Sequence, residues 1–196
     1  AQLASLHLSD ESHAREHLNR IIQTTERATQ LTEQMLTYSG SGHTEMTSMD
    51  LYDVVNSMSD LLHASMPKKV RLELSMTPDL SPVDVDPSQI QQVILNLVQN
   101  GAEAIGDRSG KVRVSIRRAK PELNLQTAQI YTNRLPDGEA ILLEVQDTGR
   151  GIERRSQPKI FDPFFSTRGS GRGLGLASVL GIVRKHRGAL SVSSQP

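Results

Sequence analysis

Several stretches carry residues whose types and spacing could do chemistry. Gly169-Ser170-Gly171-Arg172-Gly173-Leu174-Gly175 sets glycines at alternate positions, so a bulky ligand can approach bare backbone with no Cβ in the way. Leu176, Val179, Leu180 and Val183 follow at helical spacing, predicting a helix over residues 176–187. A loop feeding a helix N-terminus offers N–H groups and a positive dipole end, which suit phosphate. No Lys-Ser or Lys-Thr follows the glycines, so this is not a P-loop. Phe164-Phe165-Ser166-Thr167 stands in front where a dinucleotide fingerprint needs a strand. An ordinary surface loop has the same composition. Asn96, Asn100 and Glu103 fall at i, i+4 and i+7, one line along a helix. Two amides and a carboxylate could ligate a hard cation such as Mg²⁺, although Gln89, Gln92 and Gln99 nearby fit a solvated face equally well.

Asp147-Thr148-Gly149-Arg150-Gly151-Ile152 follows an apolar run and can aim a carboxylate into a pocket walled by backbone. Such a carboxylate accepts from an exocyclic amine like adenine N6. Guanine has a carbonyl there, so two acceptors would face each other. A simple Asp-Gly turn is the alternative. Phe161-Asp162-Pro163-Phe164-Phe165-Ser166-Thr167 holds all three phenylalanines, as an anchor for a lid or as ordinary core.

The elements that must position these groups are legible in outline. Residues 13–39 lack Gly and Pro, and Leu18, Ile21, Thr25, Ala28, Thr32, Met35 and Ser39 repeat at 3 and 4, an a/d seam of about seven turns. Ser9-Asp10-Glu11-Ser12 reads as its cap, and Gly40-Ser41-Gly42 ends it and marks a boundary between regions 1–42 and 43–196. Residues 49–66 predict a second amphipathic helix through Leu51, Val54, Val55, Met58, Leu61 and Leu62. Val70, Leu72, Leu74 and Met76 alternate as a half-buried strand, and residues 78–82 read as loop. Asp86-Pro87-Ser88-Gln89 starts a helix to about Ile105, with an Asp N-cap, Pro at N1 and Gln at N3. Residues 111–118 and 140–145 predict strands around a long polar excursion. Gly188 is expected to cap the last helix before a strand from Ala189 to Ser193.

Composition narrows the functions. Lys+Arg and Asp+Glu are both 22, so no net field points to nucleic acid, and 3% aromatics leaves few stacking platforms. Without cysteine there is no thiolate chemistry or disulfide framework. No apolar run approaches the ~20 residues of a membrane helix, so a cytoplasmic module is the expectation, whether or not a parent protein is membrane-anchored.

Taken in order, these segments resemble the ATP-binding domain of sensor histidine kinases, part of the GHKL ATPase superfamily. Gln92-Val93-Ile94-Leu95-Asn96-Leu97-Val98-Gln99-Asn100 is similar to the N box, Asp147-x-Gly149-x-Gly151 to the G1 box, residues 161–167 to the F box and Gly171-Arg172-Gly173-Leu174-Gly175-Leu176 to the G2 box. Each motif is weak alone, but their order and spacing are specific. The polar excursion and Leu180-Gly181-Ile182-Val183 resemble PAS-linked and hybrid kinases. Glu26-Arg27-Ala28 and Leu36-Thr37-Tyr38-Ser39 resemble the second helix of the dimerisation domain. The resemblance implies an α+β fold, a two-layer sandwich with a mixed, mostly antiparallel sheet, preceded by a long helix of a helical hairpin. It implies ATP and Mg²⁺ as ligands, with Asn100 on the metal and Asn96 and Glu103 assisting. Asp147 would bind adenine, Gly149, Gly151 and Ile152 would line the base site, and Gly171, Gly173, Leu174, Gly175 and Leu176 would wrap the triphosphate. Thr167, Arg168 and Arg172 would be lid contacts.

The implied activity is transfer of the γ-phosphoryl group to a histidine, with a response regulator or receiver domain as partner and a homodimer through the helical region. None of His7, His13, His17, His43, His63 or His186 precedes an acidic residue as in the family's H box. The acceptor is therefore expected upstream of Ala1, and the family's last strand beyond Pro196. The missing H box keeps a non-catalytic relay module as an alternative. Another GHKL ATPase, chaperone-like or topoisomerase-like, is disfavoured by the F box and the seam helix.

Overall fold

Period and alternation decide which side of each element faces inward, and one sheet takes most of the core on one face. The computed structural model describes residues 17–18, 20–22, 24–25, 45–119, 129–130, 139–167 and 173–196. Most of the predicted seam helix, its Gly40-Ser41-Gly42 end, most of the polar excursion and residues 168–172 lie outside the described residues. The described residues between 17 and 25 are helical, and the Thr24 and Thr25 hydroxyls donate to the Arg20 and Ile21 carbonyls (2.7 and 2.9 Å).

The elements from residue 47 onward are β1 (Thr47–Met49), α1 (Leu51–Ser57), α2 (Ser59–Ala64), β2 (Val70–Met76), β3 (Val83–Val85), α3 (Pro87–Ile105), β4 (Gly110–Ala119), β5 (Gln129–Ile130), β6 (Ala140–Asp147), a 3₁₀ turn (Gln157–Lys159), α4 (Gly175–Lys185) and β7 (Ser191–Val192). The central sheet has the order β2-β4-β6, with β2 parallel and β6 antiparallel to β4. β1 pairs β3, and β7 pairs β5 and not β6, both antiparallel. The central sheet is thus mixed, with one parallel and one antiparallel pairing rather than mostly antiparallel, and the two short pairs outside it are antiparallel.

In β4, Val112, Val114 and Ile116 are buried while Lys111, Arg113 and Arg117 are exposed, the alternation of a strand with one wet face. α3 packs on β4 and β6 through Val93, Ile94, Val98, Ala102 and Ile105, and α1 and α4 pack on α3. No described helix is long and apolar enough to cross a membrane.

Three other expectations are corrected. The helix over 49–66 is two helices that break at Met58 (φ −107°, ψ 7°), and residues 47–49 form a strand. The Ser57 hydroxyl donates to the Val54 carbonyl (2.8 Å), a local bond that competes with the helical ladder just before the break. Leu61, read as part of the apolar stripe, is consequently 57% exposed. The third correction lies at the end of α4. Arg187, not Gly188, takes the left-handed conformation (φ 55°), and the Gly188 N–H closes the turn on the Val183 carbonyl (2.9 Å).

Candidate functional site

The first requirement of the site is a fixed α3. Asp86 caps it as the sequence predicts: its carboxylate accepts from the Ser88 and Gln89 N–H groups, the Ser88 hydroxyl and the Glu45 N–H. Burial raises the pKa of this carboxyl. The Ser88 hydroxyl and the N–H groups of Gln89, Glu45 and Ser88 outweigh that and hold it below the usual aspartate range. The Asp86 N–H donates to Nε2 of His186 (2.9 Å), whose Nδ1 lies 2.9 Å from the Ile182 carbonyl. The imidazole therefore carries its proton on Nδ1 and ties the end of α4 to the start of α3. Sequence reasoning did not find this clasp, because its partners lie 100 residues apart.

The start of α4 meets the middle and second half of α3 around Asn96, Asn100 and Gly175. A Cβ at Gly175, the first residue of α4, would stand 3.5 Å from Asn96 Oδ1 and 3.7 Å from Asn100 Nδ2. The structure thus brings Asn96 and Asn100 together with Gly175, the last glycine of the motif. The Asn96 Nδ2 is buried without a hydrogen-bond partner among the described residues. Leu174 is the N-cap of α4 and contributes no side-chain acceptor, so the first-turn N–H groups are not capped by a side chain. Glu103 is exposed two turns on. Leu174 is buried, and Leu176 packs with Ile152 and Phe165 around Ile160, Phe161 and Leu180, so these leucines anchor the loop by packing.

Asp147 ends β6 and lies against α3: a Cβ at Gly101 would stand 3.1 Å from the Asp147 Cβ. That close approach sets the carboxylate beside the residue that follows Asn100. Asp147 Oδ1 accepts from the Gly149 N–H (2.7 Å), and among the described residues nothing bonds Oδ2. The turn reading of Asp-x-Gly is therefore right for one oxygen and leaves the other open.

The loop beyond is pinned to the same helix. The Arg150 N–H donates to the Ala104 carbonyl (3.1 Å), and a Cβ on Gly149 would fall 2.5 Å from the Ala104 Cβ, which only glycine avoids. Gly151 leads into Ile152, whose N–H donates to Ser194 Oγ (2.9 Å).

The phenylalanine segment closes the far side. Phe161 is buried, Phe165 half-buried, and Phe164 is exposed with φ 66°. The Phe164 N–H donates to the Gly173 carbonyl (2.9 Å). Gly173 has φ 63°, and a Cβ there would fall 2.4 Å from the Phe164 carbonyl carbon. Arg150 Nη2 donates to Thr167 Oγ1 (3.0 Å), a contact that the motif spacing did not reveal. Arg168, Gly171 and Arg172 lie outside the described residues.

These groups fit a nucleotide. Oδ2 of Asp147 offers an acceptor for an amine, Nδ2 of Asn96 a buried donor, and the start of α4 N–H donors for phosphate oxygens. Among the described residues no three His, Cys, Asp or Glu cluster to cage a metal. A cation here would use an amide oxygen, phosphate oxygens and water, the manner in which Mg²⁺ is held.

The chain is similar to known proteins along most of its length. A family model described as histidine kinase-, DNA gyrase B-, and HSP90-like ATPase matches residues 85–196. The sensor kinase CckA of Brucella abortus is 33% identical over 89% of this chain, which spans 18% of CckA. The sensory histidine kinase/phosphatase NtrB of Rhizobium meliloti is 30% identical over the whole chain, which spans half of NtrB. Among solved structures, the histidine kinase ThkA in complex with the response regulator protein TrrA superposes with a TM-score of 0.59 at 24% identity. That match covers 93% of this chain and 47% of ThkA and is a likeness of fold.

Proposed function

Since the chain belongs to the histidine kinase-, DNA gyrase B-, and HSP90-like ATPase family through residues 85–196, we propose that it is the ATP-binding catalytic region of a two-component sensor histidine kinase. In this reading the γ-phosphoryl group of ATP passes to a histidine on a helical domain and then to an aspartate of a response regulator, the class of partner seen with ThkA. The observation that carries it is the convergence at Gly101 and Gly175: Asp147 on one side of α3, Asn96, Asn100 and the start of α4 on the other.

Asp147 Oδ2 receives the adenine amine, while Oδ1 is held by Gly149. Gly149, Gly151 and Ile152 line the base, and Asn96 donates to phosphate. The backbone of Gly171, Gly173, Leu174, Gly175 and Leu176 wraps the triphosphate, and Thr167, Arg168 and Arg172 contribute from the lid. Asn100 holds Mg²⁺ through its amide oxygen, with Glu103 assisting. Mg²⁺ held there would supply charge neutralisation to the phosphates. The remaining work is positioning, as expected where the transition state is loose. Regions 1–42 and 43–196 are the helical and catalytic parts, and the a/d seam of the former makes the protein a homodimer.

Calorimetry of Mg²⁺-ATP against Mg²⁺-GTP tests the site. ATP-selective binding is expected, with Mg²⁺ dependence lost in Asn100→Ala. Equal or absent binding of both nucleotides overturns the reading. A chain extended upstream to include the acceptor is expected to take acid-labile label from γ-labelled ATP.

A further inference from the structure

We infer that Arg150 is a positioning residue that couples the adenine-binding loop to the phenylalanine segment. The inference rests on the ATP-site reading above and adds to it a residue outside the binding set.

The position of Arg150 is fixed before its side chain is considered. Its own N–H is bonded to Ala104 of α3 (3.1 Å), the preceding Gly149 N–H to Asp147 (2.7 Å), and the Ile152 N–H two residues on to Ser194 (2.9 Å). From this pinned backbone the side chain reaches Thr167 Oγ1 at 3.0 Å, 17 residues further along the chain. Thr167 ends the segment that starts at buried Phe161 and is fastened in its middle by the Phe164 N–H on Gly173. That segment contains Phe164, exposed and with φ 66°, a conformation that a bulky residue holds only when its neighbours impose it.

Packing of Ile152 near Phe161 gives the loop and the segment a shared apolar contact, which sets distance but not register. The Arg150–Thr167 hydrogen bond sets register, linking the residue after Gly149 to the residue after Ser166. Arginine suits the task through its reach and its fixed fork of donors, which lysine lacks. With the segment ordered in advance, nucleotide binding has less ordering to supply, and affinity gains by that amount.

The test is a double-mutant cycle on the whole chain with Arg150→Ala and Thr167→Val, read in two ways. Amide hydrogen exchange at Phe165, whose N–H donates to the Asp162 carbonyl, is followed without nucleotide. ATP affinity is measured in parallel. Each single change is expected to speed exchange at Phe165 and to weaken ATP binding by about three- to tenfold, the net range for one ordinary hydrogen bond, since water screens this exposed one. The double variant should lose no more than either single one, and Thr167→Ser should restore both readouts. Unchanged exchange in Arg150→Ala, or additive losses in the double variant, overturns the inference. Failure of the unmodified chain to bind ATP overturns the site reading and the affinity half of this inference with it. The exchange half is decided separately by Phe165.

Discussion

Replacing Asp147 by asparagine should change which base the site prefers, and the structure says why. Oδ1 of Asp147 lies 2.7 Å from the Gly149 N–H, which can only donate. An asparagine placed there must turn its carbonyl oxygen toward Gly149, because the opposite orientation would set an amino group against an N–H. The amino group then occupies the place of Oδ2 and faces the base. Toward adenine it presents a donor to the N6 amine, which also donates. Toward guanine it presents a donor to O6, which accepts.

One hydrogen bond to a charged acceptor is worth about 1.5–3 kcal/mol, so ATP affinity should fall by about ten- to a hundredfold. GTP affinity should rise, so the preference shifts by more than the ATP loss alone. The Gly149 bond is kept and the side chain is exposed, so stability should stay within about 0.5 kcal/mol. Calorimetry with both nucleotides and a urea curve of the same variant measure all three quantities. ATP affinity within about twofold of the unmodified chain would refute the placement of the base on Oδ2.

Three further outcomes follow from the same geometry. Asp86→Ala removes the cap of α3 and should destabilise by about 1–3 kcal/mol near neutral pH. Because the folded pKa of Asp86 is lowered, its contribution is complete above the ordinary aspartate range and disappears as pH falls through the folded value, so urea curves of the two proteins should converge in acid. Gly173→Ala places a methyl in a left-handed backbone 2.4 Å from Phe164; it should reduce stability by at least about 1 kcal/mol and ATP affinity with it, as melting and calorimetry would show. Gly175→Ala separates the two effects. Its methyl meets Asn96 and Asn100 at ordinary contact distance, so the melting temperature should hold or rise with the gain of up to about 1 kcal/mol in helix propensity, while Mg²⁺-ATP binding weakens because the methyl covers the amides.

Much of this molecule is written in short windows of its sequence. Asp86-Pro87-Ser88-Gln89 starts α3 because an aspartate acceptor two and three residues ahead of free N–H groups is a local matter. Strands β2 and β4 follow from alternation and β6 from a short apolar run, and Asn96, Asn100, Asp147 and the glycines stand out by type and spacing. The family and the sandwich fold were legible at that level.

Tertiary structure decided the rest. The three-residue β1 and β3 exist only as each other's partners, too short to leave a period. The break at Met58, which turns Leu61 outward, interrupts a pattern that reads as continuous. The reciprocal arm of the α3 cap is supplied by His186, and Arg187 takes the left-handed turn next to an available glycine. The Arg150–Thr167 link likewise joins residues whose spacing carries no signal. The division has one physical cause. Caps, periods and glycine motifs depend on neighbours within about four residues of chain, which the sequence states outright. Contacts across tens of residues depend on where packing puts two backbones, and that is settled only when the helices and the sheet bury their apolar faces together.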